Sequence, residues 1–299
     1  MRRVRTHASF FARGFLLNGF PDMNEKSPAA TGDNYVLPTG KHDSMRLDVI
    51  HSVYRPISEK GLSAARIGEA QRAADIGCGT GTVSRWMASQ MRSGGRVDAI
   101  DIAPEQIDVA RSAAAASGYG NIQYQVGSAY EPGLPEGAYD IVFCRLVLCH
   151  LKDPGTAIAR MARLLRPGGR LVLVDMDLRD TFAMPRCEAY QHYINECVIP
   201  YEVKVGVDYS VGLKLPQLAL DAGLEIDAVF ADQPIFREGP EKHLWEKTWT
   251  AALQRAVPEG AITLDRGMEL IAAMERHTAN PGVWVAVAKM FAVVGSKAD

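Results

Sequence analysis

From about residue 70 onward, short apolar runs alternate with stripes of helical spacing. Ala73-Ala74-Asp75-Ile76 reads as a buried strand, and directly after it Val83, Trp86, Met87 and Met91 recur at i, i+3, i+4 and i+8, one face of an amphipathic helix. Val97 to Asp101 gives a second strand. Pro104 then stands at a first helical position, Ile107, Ala110 and Ala114 share a face, and Gly118 is placed to cap that helix at C′. Ile122, Tyr124 and Val126 alternate as a third strand, and Asp140 to Cys144 forms a fourth. Asp153 and Pro154 make an N-cap and N1 pair for a helix bearing Ala157, Ile158, Met161, Leu164 and Leu165; Pro167-Gly168-Gly169 stops it, and Leu171 to Val174 is a fifth, buried strand. Strands that alternate with helices in this way predict an α/β fold, a doubly wound and mostly parallel sheet covered on both faces.

The flanks are patterned differently. Met45, Val49, Val53 and Ile57 follow Tyr35-Val36-Leu37-Pro38 at helical spacing, with Arg46 and His51 expected on the surface or in helix packing. Beyond Asp175, residues 179 to 222 read as inserted helices, Ile226 to Phe230 as a sixth strand, and Val283 to Val294 as one final strand. Helices around Trp245 and Trp249 and through Leu270, Ile271 and Met274 lie between the last two. Tyr190, Tyr193, Trp245 and Trp249 read either as buried stripes or as walls of a ligand pocket, and their spacing favours the stripes. Arg2, Arg3, Arg5 and Arg13 surround Phe10, Phe11, Phe15, Leu16 and Leu17 with no acidic residue before Asp22; this is compatible with a targeting peptide, an extension without structure, or a stretch upstream of a start at Met23. The expected organisation is therefore an extension and linker over 1–33 and a single domain over 34–299, with lid helices at 34–69, a core at 70–178, insertions at 179–282 and a last strand at 283–295.

Composition narrows this picture. A chain of 299 residues, 47% hydrophobic and 23% charged, can bury a sizeable core, and its net charge of −2 supplies no basic field to draw nucleic acid. Five cysteines, odd in number and without C-x-x-C spacing, indicate neither a disulfide framework nor a zinc site, which points to the cytoplasm. No apolar run approaches the roughly 20 residues that a membrane span requires.

The chemistry concentrates in Asp75-Ile76-Gly77-Cys78-Gly79-Thr80-Gly81, where a strand turns into a helix through alternating glycines. Such a turn lets a ligand approach the backbone closely, and the helix start offers free N–H groups. The order is G-x-G-x-G, with Thr82 where a dinucleotide fingerprint has its third glycine, which argues against NAD. Asp101, closing the second strand, suits ribose hydroxyls. With Gly127-Ser128-Ala129, Tyr139 to Phe143, His150-Leu151-Lys152-Asp153-Pro154 and Leu165 to Arg170 arranged in order, residues 70 to 180 resemble the class I S-adenosylmethionine (SAM) methyltransferases of small-molecule type. The resemblance implies a seven-stranded sheet with an N-terminal helical lid and helical insertions near the C-terminus. It also implies SAM as cofactor, contacted by Tyr35, Asp75, Gly77, Cys78, Gly79, Gly81, Asp101, Ile102, Gln106, Ser128, Ala129 and Arg145. Tyr35 reads equally as a packing residue, and Ser128 stands where many relatives carry an aspartate for the adenine amino group.

The resemblance implies methyl transfer to an O, N or S atom of a small molecule. A sulfonium methyl is already electrophilic, so holding the acceptor in line and dry is the main task. A hydroxyl acceptor needs a base, and the candidates are His150, His192 or Asp177, although a histidine before Leu-x-Asp-Pro also reads as structural. Two alternatives use the same motifs: transfer or cyclisation of SAM's aminocarboxypropyl arm, and a silent SAM-binding subunit. No metal, nucleic-acid or membrane partner is indicated, and a homodimer is compatible with the sequence.

Overall fold

A computed structural model of the chain describes residues 44–298. The expectations for residues 1–33 and for Tyr35 lie outside those residues. β1 (Arg72–Ile76) is buried along its length apart from Arg72, because parallel neighbours flank it and helices cover both faces. β2 (Arg96–Asp101), β3 (Ile122–Val126), β4 (Tyr139–Arg145) and β5 (Leu165–Asp177) run parallel to it. The strand order is β3-β2-β1-β4-β5 and continues with β10 (Lys289–Lys297) and β7 (Leu224–Asp232), so the chain reverses direction across the sheet between β1 and β4. Open α/β sheets bind ligands at the carboxyl edge of that switch point.

Helices α2 (Thr82–Gln90), α3 (Pro104–Ala116) and α4 (Pro154–Leu164) begin where the pattern places them, but α4 ends one residue earlier than expected: Leu165 is already extended, and Pro167-Gly168-Gly169 lie within β5 rather than stopping the helix. Asp153 accepts the Thr156 N–H at 3.0 Å as the N-cap of α4, and Gly118 takes φ +75° just beyond α3. At the amino edge of the sheet the Arg72 guanidinium and the Tyr139 hydroxyl both donate to Asp98 Oδ2, at 2.8 and 2.7 Å, tying β1, β2 and β4 together away from the switch point.

The final segment departs from expectation. Val283 to Val294 is two strands in two sheets: β9 (Trp284–Ala286) lies between β6 (Phe182–Met184) and β8 (Ile235–Phe236) in a small antiparallel sheet, and β10 enters the main sheet antiparallel between β5 and β7. The apolar run is continuous, but Val287 gives its N–H to Pro234 O at 3.1 Å, and the chain changes sheets at that point. The inserted helices are α5 (Glu188–Tyr193), continued by a π turn, then α6 (Ile199–Val205), α7 (Leu215–Asp221), α8 (Leu244–Ala256) and α9 (Leu264–Thr278). N-terminal helix α1 (Ser44–Ala64) packs on β5, β7 and β10 and against α8. Among the described residues no helix is long and apolar enough to cross a membrane.

Asp75 links the sheet to α2: buried at the end of β1, it accepts the Ser84 hydroxyl at 2.6 Å. Burial raises its pKa from 3.8 to about 6, the Ser84 bond and the charge of Arg145 moderating the rise and the charge of Asp101 adding to it. A carboxyl raised on folding stabilises fully below its unfolded pKa, and that contribution disappears as pH climbs through the folded value. Wild type should therefore lose on the order of 2 kcal/mol relative to Asp75→Asn between pH 4 and 7. Urea unfolding of both proteins across that range tests this, and parallel curves would show that Asp75 does not titrate as its burial demands.

Candidate active site

The three glycines after β1 all take positive φ, +74° at Gly77, +52° at Gly79 and +73° at Gly81, but they face different surroundings. A Cβ at Gly77 would lie 2.2 Å from Val147 Cγ2 in the loop after β4, and one at Gly81 would lie 2.4 Å from the Tyr124 hydroxyl of β3. Neither position has room for a side chain. Around a Cβ at Gly79 there is nothing within 4 Å among the described residues, so this glycine faces space they leave open. Asp101 fixes it from β2: Oδ2 accepts the Gly79 N–H at 2.8 Å while Oδ1 accepts Ala103 N–H at 2.9 Å. Desolvation raises the Asp101 pKa, and those two N–H groups oppose the rise. Cys78 sits buried within the turn, and Ile102 comes directly after Asp101, partly buried. Gln106, in the first turn of α3, is buried with an Oε1 that has no hydrogen-bond donor among the described residues.

On the other side of the turn, Arg145 ends β4. Its Nη1 donates to Ser58 Oγ and its Nη2 to His51 Nδ1, both at 3.2 Å, and both partners belong to α1. Among the described residues no carboxylate pairs with it within 4.0 Å, although Asp75 is near enough to act on it electrostatically. Desolvation lowers the Arg145 pKa to about 10. Desolvation and the neighbouring guanidinium lower that of His51 to about 4, so the imidazole stays neutral and accepts the bond. Of the two roles expected for His51, surface or helix packing, the structure shows packing: the half-buried ring holds a guanidinium beside the glycine turn.

A cavity of about 130 Å³ opens beside this network. Arg46, Leu47, Ile50 and Tyr54 of α1 form one wall, Leu146 and His150 come from the loop after β4, Met176 and Leu178 from the end of β5, and Tyr193, Tyr201, Tyr209, Trp245 and Trp249 from the inserted helices and their connections. Leu146 adopts φ +54°, a conformation that costs a leucine on the order of 1–3 kcal/mol and that surrounding packing must impose. The next residue is Val147, which presses on Gly77, so cavity and glycine turn share a wall. His150 is buried, sets its ring edge to face against Tyr209 at 5.5 Å, and is held neutral with a pKa lowered to about 4, by desolvation first and by Arg46 second.

The structure thus brings together Asp75, Gly77, Cys78, Gly79, Gly81, Asp101 and Arg145 at the switch point, and sets His150 in the adjoining cavity. Ser128 and Ala129 come after β3, where Ser128 Oγ accepts the Tyr130 N–H at 3.1 Å. The alternative bases do not line the cavity. Asp177 accepts the Ser210 hydroxyl at 2.7 Å and the Arg179 N–H at 3.1 Å, and His192 is exposed beside Glu196. Trp245, Trp249 and Tyr193 pack as expected, with Tyr193 and Trp249 stacked at 4.5 Å, yet they also wall the cavity, so the two readings of those stripes are one. Tyr190 lines a separate recess with Phe182 and Met184. Arg46, expected on the surface or in helix packing, is buried in the cavity wall. Its signal was faint: an arginine among Met45, Val49 and Val53, on the side of a helix that the inserted segments cover.

Comparison with known proteins agrees with this geometry. The family description "methyltransferase domain" matches residues 74–173. An uncharacterized 37.1 kDa protein in transposon TN4556 of Streptomyces fradiae is 34% identical over 178 residues, 58% of this chain and 48% of that protein. A ubiquinone biosynthesis O-methyltransferase of Xanthomonas axonopodis pv. citri is 33% identical over 175 residues, 58% of this chain and 71% of the relative. The chain therefore spans about half the length of the first of these and about seven tenths of the second. Among solved structures, the YcgJ protein of Bacillus subtilis shares the fold at a TM-score of 0.55 and 20% identity, covering 81% of this chain and 99% of that one. The glycine turn keyed to β2 and β4, the seven-stranded order and these matches lead to one conclusion: the chain belongs to the class I SAM-dependent methyltransferases.

Proposed function

We propose that the chain transfers the methyl group of SAM to an oxygen atom of a small, largely apolar molecule. The observation that carries this is the aromatic-walled cavity whose lining residue Leu146 adjoins Val147, the residue seated on the glycine turn. The residues present fit the cofactor. Gly79 leaves open the space that a side chain would fill, and the buried Gln106 Oε1 offers an acceptor to an adenine-type donor. Arg145, whose hydrogen-bond partners are neutral, suits the methionine carboxylate, and Asp101 suits ribose hydroxyls. Cys78, Ile102, Ser128 and Ala129 complete the proposed cofactor set. When bound, SAM supplies an electrophilic methyl group.

The protein's own contribution is placement and dryness. Apolar and aromatic side chains exclude water, and well-oriented reactants can save roughly 7–11 kcal/mol of barrier at best. His150, neutral at physiological pH, accepts a hydrogen bond and orients an acceptor; with its pKa near 4 it is a poor store for a proton. An oxygen acceptor is supported by the named relative, an O-methyltransferase. The net charge of −2 favours a diffusible molecule over nucleic acid, and the five free cysteines favour the cytoplasm. A homodimer is compatible with this reading.

Incubation of the protein with SAM and a small-metabolite extract should yield S-adenosylhomocysteine together with a metabolite heavier by one methylene. Methylthioadenosine above the spontaneous background would instead indicate chemistry on the cofactor's side chain and sink the proposal. Arg145→Met should weaken S-adenosylhomocysteine binding by about 2 kcal/mol, the worth of a hydrogen bond to a charged group; calorimetry showing equal affinity would remove Arg145 from the cofactor site. Gly79→Ala should fold, because its Cβ meets nothing among the described residues, with about 1 kcal/mol of backbone strain, yet bind the cofactor at least tenfold less tightly.

A further inference from the structure

Helix α1 meets the end of β4 at one side chain. His51 and Ser58 stand about two turns apart on one face of α1, and both give a lone pair to Arg145, His51 Nδ1 to Nη2 and Ser58 Oγ to Nη1, each at 3.2 Å. A guanidinium can only donate, so the imidazole accepts at Nδ1 and carries its proton on Nε2. The Ser58 hydroxyl is committed as well: its own hydrogen goes to Tyr54 O at 2.8 Å within the helix, which leaves its lone pairs for Arg145. The two contacts use one N–H on each terminal nitrogen. The Nε–H and the second hydrogen of each Nη have no acceptor among the described residues, and no carboxylate there lies within 4.0 Å. Arg85 of α2 also acts on His51, and its donors go to Thr80 O at 2.8 Å and Thr82 Oγ1 at 3.3 Å, which are again neutral; the third guanidinium near His51, Arg55, is paired with Glu59. Two guanidiniums with neutral partners beside an open turn favour an anionic group. A planar fork holds a carboxylate best when its plane is fixed beforehand, because the rotamer freedom of arginine is then lost on folding rather than on binding.

We propose that His51 and Ser58 are positioning residues for the cofactor's carboxylate: they fix the Arg145 guanidinium that takes the methionine end of SAM, so that helix α1 sets how strongly the amino-acid arm is held. This rests on the methyl-transfer reading above and extends it from the residue that touches the cofactor to the pair that aims it. The arm also carries an ammonium, from which a guanidinium gains nothing, so the benefit passes through the carboxylate.

Calorimetric titration with two ligands tests this: S-adenosylhomocysteine, which has the arm, and methylthioadenosine, which keeps the adenosine and the thioether without it. His51→Leu and Ser58→Ala should each weaken S-adenosylhomocysteine binding about fivefold and leave methylthioadenosine within about twofold. His51→Gln, which restores an acceptor, should recover most of the loss. In an Arg145→Met background His51→Leu should cost nothing further, because the group it positions is gone. Equal losses for both ligands would show a structural role only and overturn the proposal. Unchanged S-adenosylhomocysteine affinity in both variants, or a loss that persists undiminished without Arg145, would overturn it too. Wild type that binds neither ligand would overturn the methyltransferase reading itself, whereas wild type that binds S-adenosylhomocysteine, with variants that show no arm-specific loss, would overturn only the positioning role.

Discussion

The turn after β1 can exist only where side chains are missing. Val147 fills the space at Gly77 and Tyr124 the space at Gly81, so the loop after β4 and the edge of β3 are both cut to fit a bare backbone. Asp101 then pins the middle of the turn to β2 through Gly79 N–H. Three strands are thereby registered against five residues, and among the described residues the turn stays uncovered at Gly79. Because Leu146 precedes Val147, the same fit sets the edge of the acceptor cavity and holds a leucine in a left-handed conformation that it would not adopt alone.

Around that turn the protein concentrates charge where its fold alone gives little return. Asp75 is buried with a raised pKa, Arg145 is partly buried with a lowered one, and His51 and His150 are both held neutral. For Asp75 and Arg145 desolvation disfavours the charged form, and hydrogen bonds from Ser84 to Asp75 and from Arg145 to Ser58 and His51 offset part of that cost. The Asp75 and Arg145 charges, buried at the carboxyl edge of the sheet, are ones that ligand binding as well as folding can complete. The opposite edge shows the contrast: there Arg72, Asp98 and Tyr139 satisfy one another.

How much of this was legible depended on distance along the chain. The strand, turn and helix from Asp75 to Gln90, the acid that closes β2, and the Asp153 cap are local, so spacing and residue type suffice to read them. The cavity is not local. Its walls come from α1, the loop after β4, the end of β5 and the inserted helices, and nothing in the periodicity near Arg46 distinguishes a buried arginine from an exposed one. For Trp245 and Trp249 the pattern gave burial correctly but could not say against what, because a helix face turned to a cavity and one turned to a core look alike in sequence. The split of β9 from β10 was hidden because a run of valines and alanines reads as one strand whether or not it changes sheets. Tyr35 lies outside the described residues.

Helix α1 serves two neighbours from one rigid body. Arg46, Leu47, Ile50 and Tyr54 line the cavity, while His51 and Ser58 hold Arg145 beside the glycine turn. A displacement of this helix that improves one set of contacts also alters the other, because the two sets interleave along it, and any linkage between them would be reciprocal. In the proposed reaction acceptor and cofactor would therefore lie against one helix, whose contributing residues, Arg46 to Ser58, span about three turns.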